Sequence, residues 1–531
     1  LSSRSESLLP VAIGVVDVDG DGSFESGDAI EFFGQAANRW VRVEGAFGFE
    51  WIQNPYTEEN IYWIKIRDNG AARITLESGT PVGGAASTNI VQALVHQEDD
   101  LDNFVENTFD SFRGDAEVSG IDWIWTVLAA SDGFNKPSQR VVVRPFGWRG
   151  PDLTLDVGIL TLDRQPEIEL VIDGRAAPVT GTKSHGGYSH SVSATGPADF
   201  PDGGQVDFEI FNSSPVSASL DYYELRYNRA LTPDDRELWW HLPALLHTGV
   251  DEAAVVRLAG VKSAEYRLFD VTDSHDVSEI DLSDGVTKQP NDSLAVGVRQ
   301  SGLVPRQFML VANDRWLTPK RVEKKNSSDL RGRSVGTDYV IVTHSDFKEA
   351  ADKLADWRER SGLRSQVVDV QDIYDEFSWG LFDPTAIRNF VAYARLFWRG
   401  GSSLNGPEWL LLFGDGQYDY RNITRFAGVT DNPHPDNWVP PYEDRMISTD
   451  DWYAATVPNN LIPTIPVGRI PSRTEEEAMT MVDKIIAYEQ VPERGAWQHR
   501  AIFLCDDEHN ADTGSIHEEY FVSDCEQLAE G

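Results

Sequence analysis

The chain changes its grammar once, and that change limits its architecture more than any total does. From residue 1 to about 319, short alternating or β-branched runs are separated by Gly, Pro, Asn and Asp: IYWIKIRD (61–68), RVVVRPF (140–146), IELVID (168–173), VDFEIF (206–211), YYELRY (222–227) and YRLFDVT (266–272). Period-two runs between turn residues predict antiparallel β-structure. From residue 338, strands and helices alternate: DYVIVTH (338–344), DFKEAADKLADWRERSG (346–362), RSQVVDV (364–370), PTAIRNFVAYARLFW (384–398), EWLLLFG (408–414), TIPVGRIP (464–471), TEEEAMTMVDKIIAYEQ (474–490) and RAIFLC (500–505). Short apolar strands between helices with i, i+3, i+4 apolar spacing predict a parallel, doubly wound α/β sheet. The expected fold is multidomain: an N-terminal all-β, sandwich-like region followed by a doubly wound α/β domain.

A chain of 531 residues exceeds what one hydrophobic core organises. The turn-rich PDLTLDV (151–157) and PADFPDGG (197–204) suggest more than one β unit, placed at 1–155 and 156–319. The basic stretch KRVEKKNSSDLRGRSVGT (320–337) lacks an apolar period and reads as an exposed linker. Residues 338–531 form the α/β part, and because the sequence stops one helical pattern beyond a strand, it is expected to be a truncated domain. Within the β region, DDLDNFVENTFDSF (99–112) is the one stretch with helical character. No apolar run of ~18 residues occurs, so no transmembrane helix is expected.

Acidic residues outnumber basic ones 86 to 46, giving a formal charge of −40. A field of that sign repels a phosphate backbone, which argues against nucleic acid as a partner. The acids are spread along the chain and Arg greatly exceeds Lys, a composition that suits concentrated salt. Two cysteines, Cys505 and Cys525, make neither a disulfide framework nor a CxxC zinc site.

The most regular short motif is DVDGDGSFESGD (17–28). It fits a calcium-loop spacing, with Asp17, Asp19, Asp21, Gly22 and Asp28 at places 1, 3, 5, 6 and 12. Hard cations take about six or more oxygens, and the expected ligands are the side chains of Asp17, Asp19, Asp21 and Asp28, the carbonyl of Ser23, and Glu25 through water. LLPVAIGVV before the loop and AIEFFG after it read as strands, so the expected element is a strand-loop-strand clip holding structural Ca2+ rather than a helix-loop-helix.

Doubly wound sheets bind ligands at the carboxyl ends of their strands, here the loops GDGQYDYRN (414–422) and DDEHN (506–510). Asp415 and Asp419 in the first suit a cleft wall or a structural cation, and no GxGxxG or GxxxxGK[ST] supports a nucleotide.

Taken in order, YVIVTHSDFKEAADKLADWRERSGLRSQVV, PTAIRNFVAYA, WLLLFGDGQYD, STDDWYA, IPVGRIPSRTEEEAMTMVDKIIAYE and RAIFLCDDE resemble the gingipain-type cysteine peptidases over about residues 336–531. Upstream, LDYYELRYNRAL (220–231) and YRLFDVTD (266–273) resemble the all-β region of the family branch that serves type IX secretion as signal peptidase and sortase. The resemblance implies a caspase-like fold and a bacterial protein that is secreted or held at the outer cell surface. Its partners would be protein or peptide substrates and other secretion-system components. It also implies a thiolate attacking a peptide carbonyl, a His protonating the leaving amine, and an acid orienting that His. The position matching the acid is Glu508, while the family's His-Gly and nucleophilic Cys are expected beyond residue 531. Asp450 in STDDWYA matches a family Asp without an assigned role. His185 in SHGGY lies in the wrong order, Cys505 ends an apolar run and is expected to be buried, and Cys525 has core-like helical spacing; none is expected to serve as dyad. The competing reading is a non-catalytic, calcium-stabilised surface protein that binds a partner or glycan, with Trp239 and Trp240 as stacking residues.

Overall fold

The computed structural model describes the chain except residues 1–7, 43–48, 67–69, 99–101, 104–122, 132–136, 162–166, 185–188, 197–204, 245–250, 289–292, 327, 333–335, 400–405, 418, 423–436, 445–446, 458–461, 492–494, 503, 506–520 and 531. Its N-terminal region is all-β and its C-terminal region is α/β.

Strong alternation builds the β region. The strand Val206–Asn212 is buried at every second residue, and Phe208 and Ile210 are fully inside. One side of such a strand needs a facing layer. An eleven-stranded sheet supplies it, running Val179–Ser184, Ser189–Thr195, Trp148–Thr161, Ala218–Ala230, Ile90–Glu98, Glu237–Leu242, Arg306–Ala312, Tyr266–Asp270, Ser278–Asp281 and Thr75–Ser78, with Thr126–Leu128 paired to Ala218–Ala230. Two four-stranded sheets accompany it. The first, with Ser138–Val143, Val206–Asn212 and Ile168–Ile172, shares a core of Leu155, Val157, Phe208, Ile210 and Leu225 with the large sheet. The second, with Glu252–Leu258 and Ser293–Gln300, shares Val256, Val296, Trp240, Leu268 and Phe308. Two sandwiches are thus fused through one sheet: on the strand Ile90–Glu98, Val91 belongs to one core and Ala93 to the other. The division expected at 155/156 falls inside the strand Trp148–Thr161.

Two local expectations are corrected. Residues 61–66 of IYWIKIRD join no strand. Of DDLDNFVENTFDSF, Asp102–Asn103 pairs as a short strand with Trp123–Ile124, and the rest lies outside the described residues.

In the α/β region four parallel strands run in the order Ser365–Asp369, Tyr339–Thr343, Trp409–Phe413, Val467–Ile470. Helices Lys348–Arg360 and Glu475–Gln490 cover one face over Ile341, Leu354, Leu411, Phe413 and Val482. Helices Val370–Phe377 and Pro384–Phe397 cover the other over Val342, Ile373, Phe390 and Leu412. Asp383 starts the helix at Pro384, its carboxylate accepting from the Thr385 amide at 2.9 Å, and Thr474 caps the helix at Glu475. The doubly wound reading therefore holds. RAIFLC departs from it: its described residues pair with no strand, and Ile502 and Leu504 are 74% and 91% exposed. An apolar run marks a segment able to enter a sheet, but a ladder partner must accept it.

Residues 320–325 are exposed, and the stretch packs against the α/β region further on. Leu330 is buried, its carbonyl accepts from the Trp398 indole at 3.0 Å, and the Glu376 carboxylate receives the amides of Leu330 and Arg331. Arg331 also lies over the Phe377 ring at 4.3 Å. A basic sequence without period conceals this docking, because the bonds are made by its backbone.

Candidate functional site

Two places bear chemistry, and they lie in different parts of the chain. The acidic loop joins the paired strands Ile13–Val16 and Ala29–Phe32 as a strand-loop-strand hairpin. Gly20, Gly22 and Gly27 have φ of 74°, 82° and 113°, conformations that favour glycine and let the chain coil tightly. Asp17 accepts from the amides of Gly20 at 2.7 Å and Gly22 at 2.9 Å, and these bonds hold its carboxyl below the usual range. The ligand atoms of Asp17, Asp19 and Asp21 all lie within 4.8 Å of one another. Asp28 instead closes the loop, accepting from the amides of Val18 at 3.0 Å and Glu25 at 2.8 Å. Ser23 donates its amide to Asp21 at 2.7 Å. The loop thus gathers three of the expected carboxylates, while Ser23, Glu25 and Asp28 shape its frame. The hairpin is fastened by Glu31, whose carboxylate meets the Arg267 guanidinium at 2.8 Å, with Glu279 on the same guanidinium at 2.7 Å.

The second place is the carboxyl edge of the parallel sheet. Gly414, with φ of 142°, turns the chain after Trp409–Phe413, and its amide donates to the Ile470 carbonyl at 2.9 Å. The Asp415 amide donates to Ser472, and the Asp415 carboxylate takes the Gly416 amide at 3.0 Å and the Arg473 guanidinium at 3.3 Å. Asp419 is buried. Tyr420 donates its hydroxyl to the Pro441 carbonyl at 2.9 Å and accepts from the Glu443 amide at 2.9 Å, tying this loop to the 440s.

Asp450 acquires a structural partner here. Its carboxylate binds Arg469 in bidentate fashion, at 2.8 Å to Nε and 2.7 Å to a terminal nitrogen. The same guanidinium donates to the carbonyls of Gly414 at 2.7 Å and Val439 at 2.6 Å. One planar fork therefore fixes three loops at the sheet's edge. Arg469 lies in the strand Val467–Ile470, and an arginine inside a run otherwise suited to a buried parallel strand is the sequence signal that marks it.

The remaining candidates separate clearly. Glu508 and His185 lie outside the described residues. Cys505 is exposed, contrary to the expected burial, because RAIFLC stays out of the sheet. Its thiol meets that of Cys525 on the helix Phe521–Glu530, and that hydrogen bond, with burial adding, pushes the Cys525 thiol up to about 11. A thiol held protonated is a poor nucleophile. Trp240 is buried and stacked on Phe308 at 5.3 Å, and Trp239 packs on Phe33 at 5.7 Å. Ser345, Asp346, Lys348, Glu349, Asp352 and Glu475 line an open acidic recess beside the edge.

Residues 333–530 match the sequence model of peptidase family C25. The architecture as a whole is similar to one particular solved protein, dimeric latent PorU from Porphyromonas gingivalis, at 19% identity and a TM-score of 0.62 over 94% of this chain. The chain spans 46% of that structure's length. A solved protease structure matches at 21% identity over 30% of this chain and 29% of its own, with a TM-score of 0.21. A β-glucuronidase from Ruminococcus gnavus matches at 9% identity over 64% of this chain and 70% of its own, with a TM-score of 0.16. Scores of that size carry no structural argument. No curated protein matches the chain.

Proposed function

We propose that this chain belongs to a cysteine endopeptidase that serves type IX secretion at the bacterial outer surface, removing sorting domains and transferring the new carboxyl end to an amine. The observation that carries this reading is the family C25 match over 333–530, set in a chain of which 94% follows the fold of latent PorU. In the proposed reaction, a thiolate from the remaining length of the protein attacks the scissile carbonyl and expels the amine as an imidazolium protonates it. The resulting thioester passes its acyl group to water or to an amine nucleophile. Glu508 accepts the other imidazole N–H, which sets the tautomer and steadies the cation. Asp450 and Arg469 touch no reacting atom in this scheme; they hold the loops that border the cleft.

The test is to incubate the full-length protein with a sorting-domain substrate and a primary amine and to weigh the products. An amine adduct sensitive to thiol alkylation supports transfer. A product gaining only water supports hydrolysis and overturns the sortase part, and cleavage indifferent to alkylation overturns the cysteine mechanism.

We also propose that Asp17, Asp19 and Asp21 hold a structural Ca2+, with the carbonyl of Ser23, Glu25 through water and Asp28 completing the shell. Three convergent carboxylates on a glycine-turned loop suit a hard cation in the millimolar affinity range of extracellular modules. Bound there, calcium would supply charge neutralisation for the hairpin and take no part in peptide cleavage.

A further inference from the structure

Residues 56–63 leave the N-terminal β region and lie against the peptidase domain. Asn54 anchors the near end, donating its amide to Asn38 at 2.7 Å and accepting from the Tyr56 amide at 2.9 Å. Beyond it, the extended chain alternates between two partners. Tyr62 turns back to its own region, its ring 4.9 Å from Phe32 and its hydroxyl accepting the Gln35 amide at 2.6 Å. Ile61 and Trp63 turn the other way. The Trp63 indole donates to the Trp379 carbonyl at 2.8 Å, and Ile61 packs where a side chain on Gly380 would stand, 3.0 Å from the position of its Cβ. Trp379 and Gly380 have φ of 59° and 90°, so this turn between two helices is held in a left-handed form against the strap. Tyr56, 5% exposed, meets the Tyr420 ring edge-on at 5.4 Å, and Phe382 reaches the same ring at 6.1 Å. Lys320 closes the far side on Glu59 at 2.7 Å.

Both surfaces that receive this segment belong to the cleft side of the domain: the turn at 378–383 and the loop 414–420 that follows the central strand. We propose that residues 56–63 are a positioning strap by which the N-terminal β region fixes these two loops, so that the region is part of the peptidase's working architecture and not a detachable module. The proposal rests on the peptidase reading for its functional meaning, while its geometry stands apart from catalysis. Tyr56, Ile61 and Trp63 act through Tyr420, Trp379 and Gly380 and touch no substrate.

Hydrogen exchange followed by mass spectrometry on the 531-residue chain tests it without requiring activity. In Trp63→Ala and Tyr56→Ala, amides at 378–383 and 414–422 are expected to exchange on the order of tenfold faster, with the strands Ile90–Glu98 and Ala218–Ala230 unchanged. Ile61→Val keeps the methyl that packs on Gly380 and is expected to exchange as the parent does. If residues 56–63 loosen while both loops keep their parental rates, the strap is only a cover and the proposal falls. A full-length enzyme without peptidase activity would overturn the functional reading and leave the exchange result standing, so the two failures are distinguishable.

Discussion

Single residues carry more of this fold than their type suggests. His96 is stacked between Trp51 at 4.6 Å and Tyr222 at 5.0 Å, with Glu224 and Glu98 each 3.1 Å from a ring nitrogen. Burial pushes its pKa down, but the two carboxylates outweigh burial and the net shift is upward. His241 shows the reverse: packed on Phe49 at 4.0 Å, it is pushed by burial down to about 4. The signs follow from linkage. His96 contributes stability that is fully present below its unfolded value of 6.5 and is lost as pH rises through its higher folded value. His241 is neutral when folded, so stability is lost as pH falls below 6.5 toward 4. Denaturation midpoints across pH check both: His96→Gln should flatten the alkaline side and His241→Phe the acid side, and matching slopes in parent and variants would refute the assignment. Arg469 is the second case. Arg469→Met strands the Asp450 carboxylate and the carbonyls of Gly414 and Val439, at a cost of about 3 kcal/mol in denaturant unfolding. Asp450→Asn keeps one acceptor and should cost about 1–2 kcal/mol. The resemblance pointed to Asp450 without its role, because the partner lies 19 residues away along the chain and only the fold brings them together.

At the scale of elements, periodicity was a good guide to burial and a poorer one to pairing. The helix expected over 346–362 is Lys348–Arg360 and the strand expected over 206–211 is Val206–Asn212, each with a regular apolar period and a capping or turn residue at its end. IYWIKIRD alternates as cleanly, yet its two faces serve two different parts of the protein in place of a ladder. RAIFLC has the apolar run without the partner. The DVDGDGSFESGD hairpin was legible because its Asp and Gly spacing matches a calcium-loop pattern, and its strand flanks are present as expected. The proposed calcium site is open to direct measurement. Titrated Ca2+ should raise the thermal midpoint of the chain and chelation should reverse the shift, with Asp19→Asn and Asp21→Asn weakening affinity by on the order of tenfold or more. Asp17→Asn should also loosen the hairpin without metal, since Asp17 accepts two backbone amides there. A midpoint indifferent to Ca2+ would leave the loop a solvated acidic turn.

Across the whole molecule, the sequence separates the β half from the α/β half, because the period of burial changes between them. It does not divide the β half, because the eleven-stranded sheet is shared by two cores and its strands come from both sides of residue 155. The net charge of −40 acts at this scale too. Self-repulsion is screened over a Debye length of ~10 Å at 0.1 M salt and ~3 Å at 1 M, so the thermal midpoint is expected to rise with NaCl. Full stability in salt-free buffer would contradict a salt-adapted surface.

In the proposed peptidase, Glu508 is the acid that orients the catalytic imidazole. The most direct test is the kcat of the full-length protein on a sorting-domain substrate, compared with Glu508→Gln and with the neighbouring control Asp507→Asn. Loss of about 10²–10⁴-fold in Glu508→Gln, with Asp507→Asn near the parent and both variants folded, is the predicted result. Equal activity in Glu508→Gln and parent would contradict it.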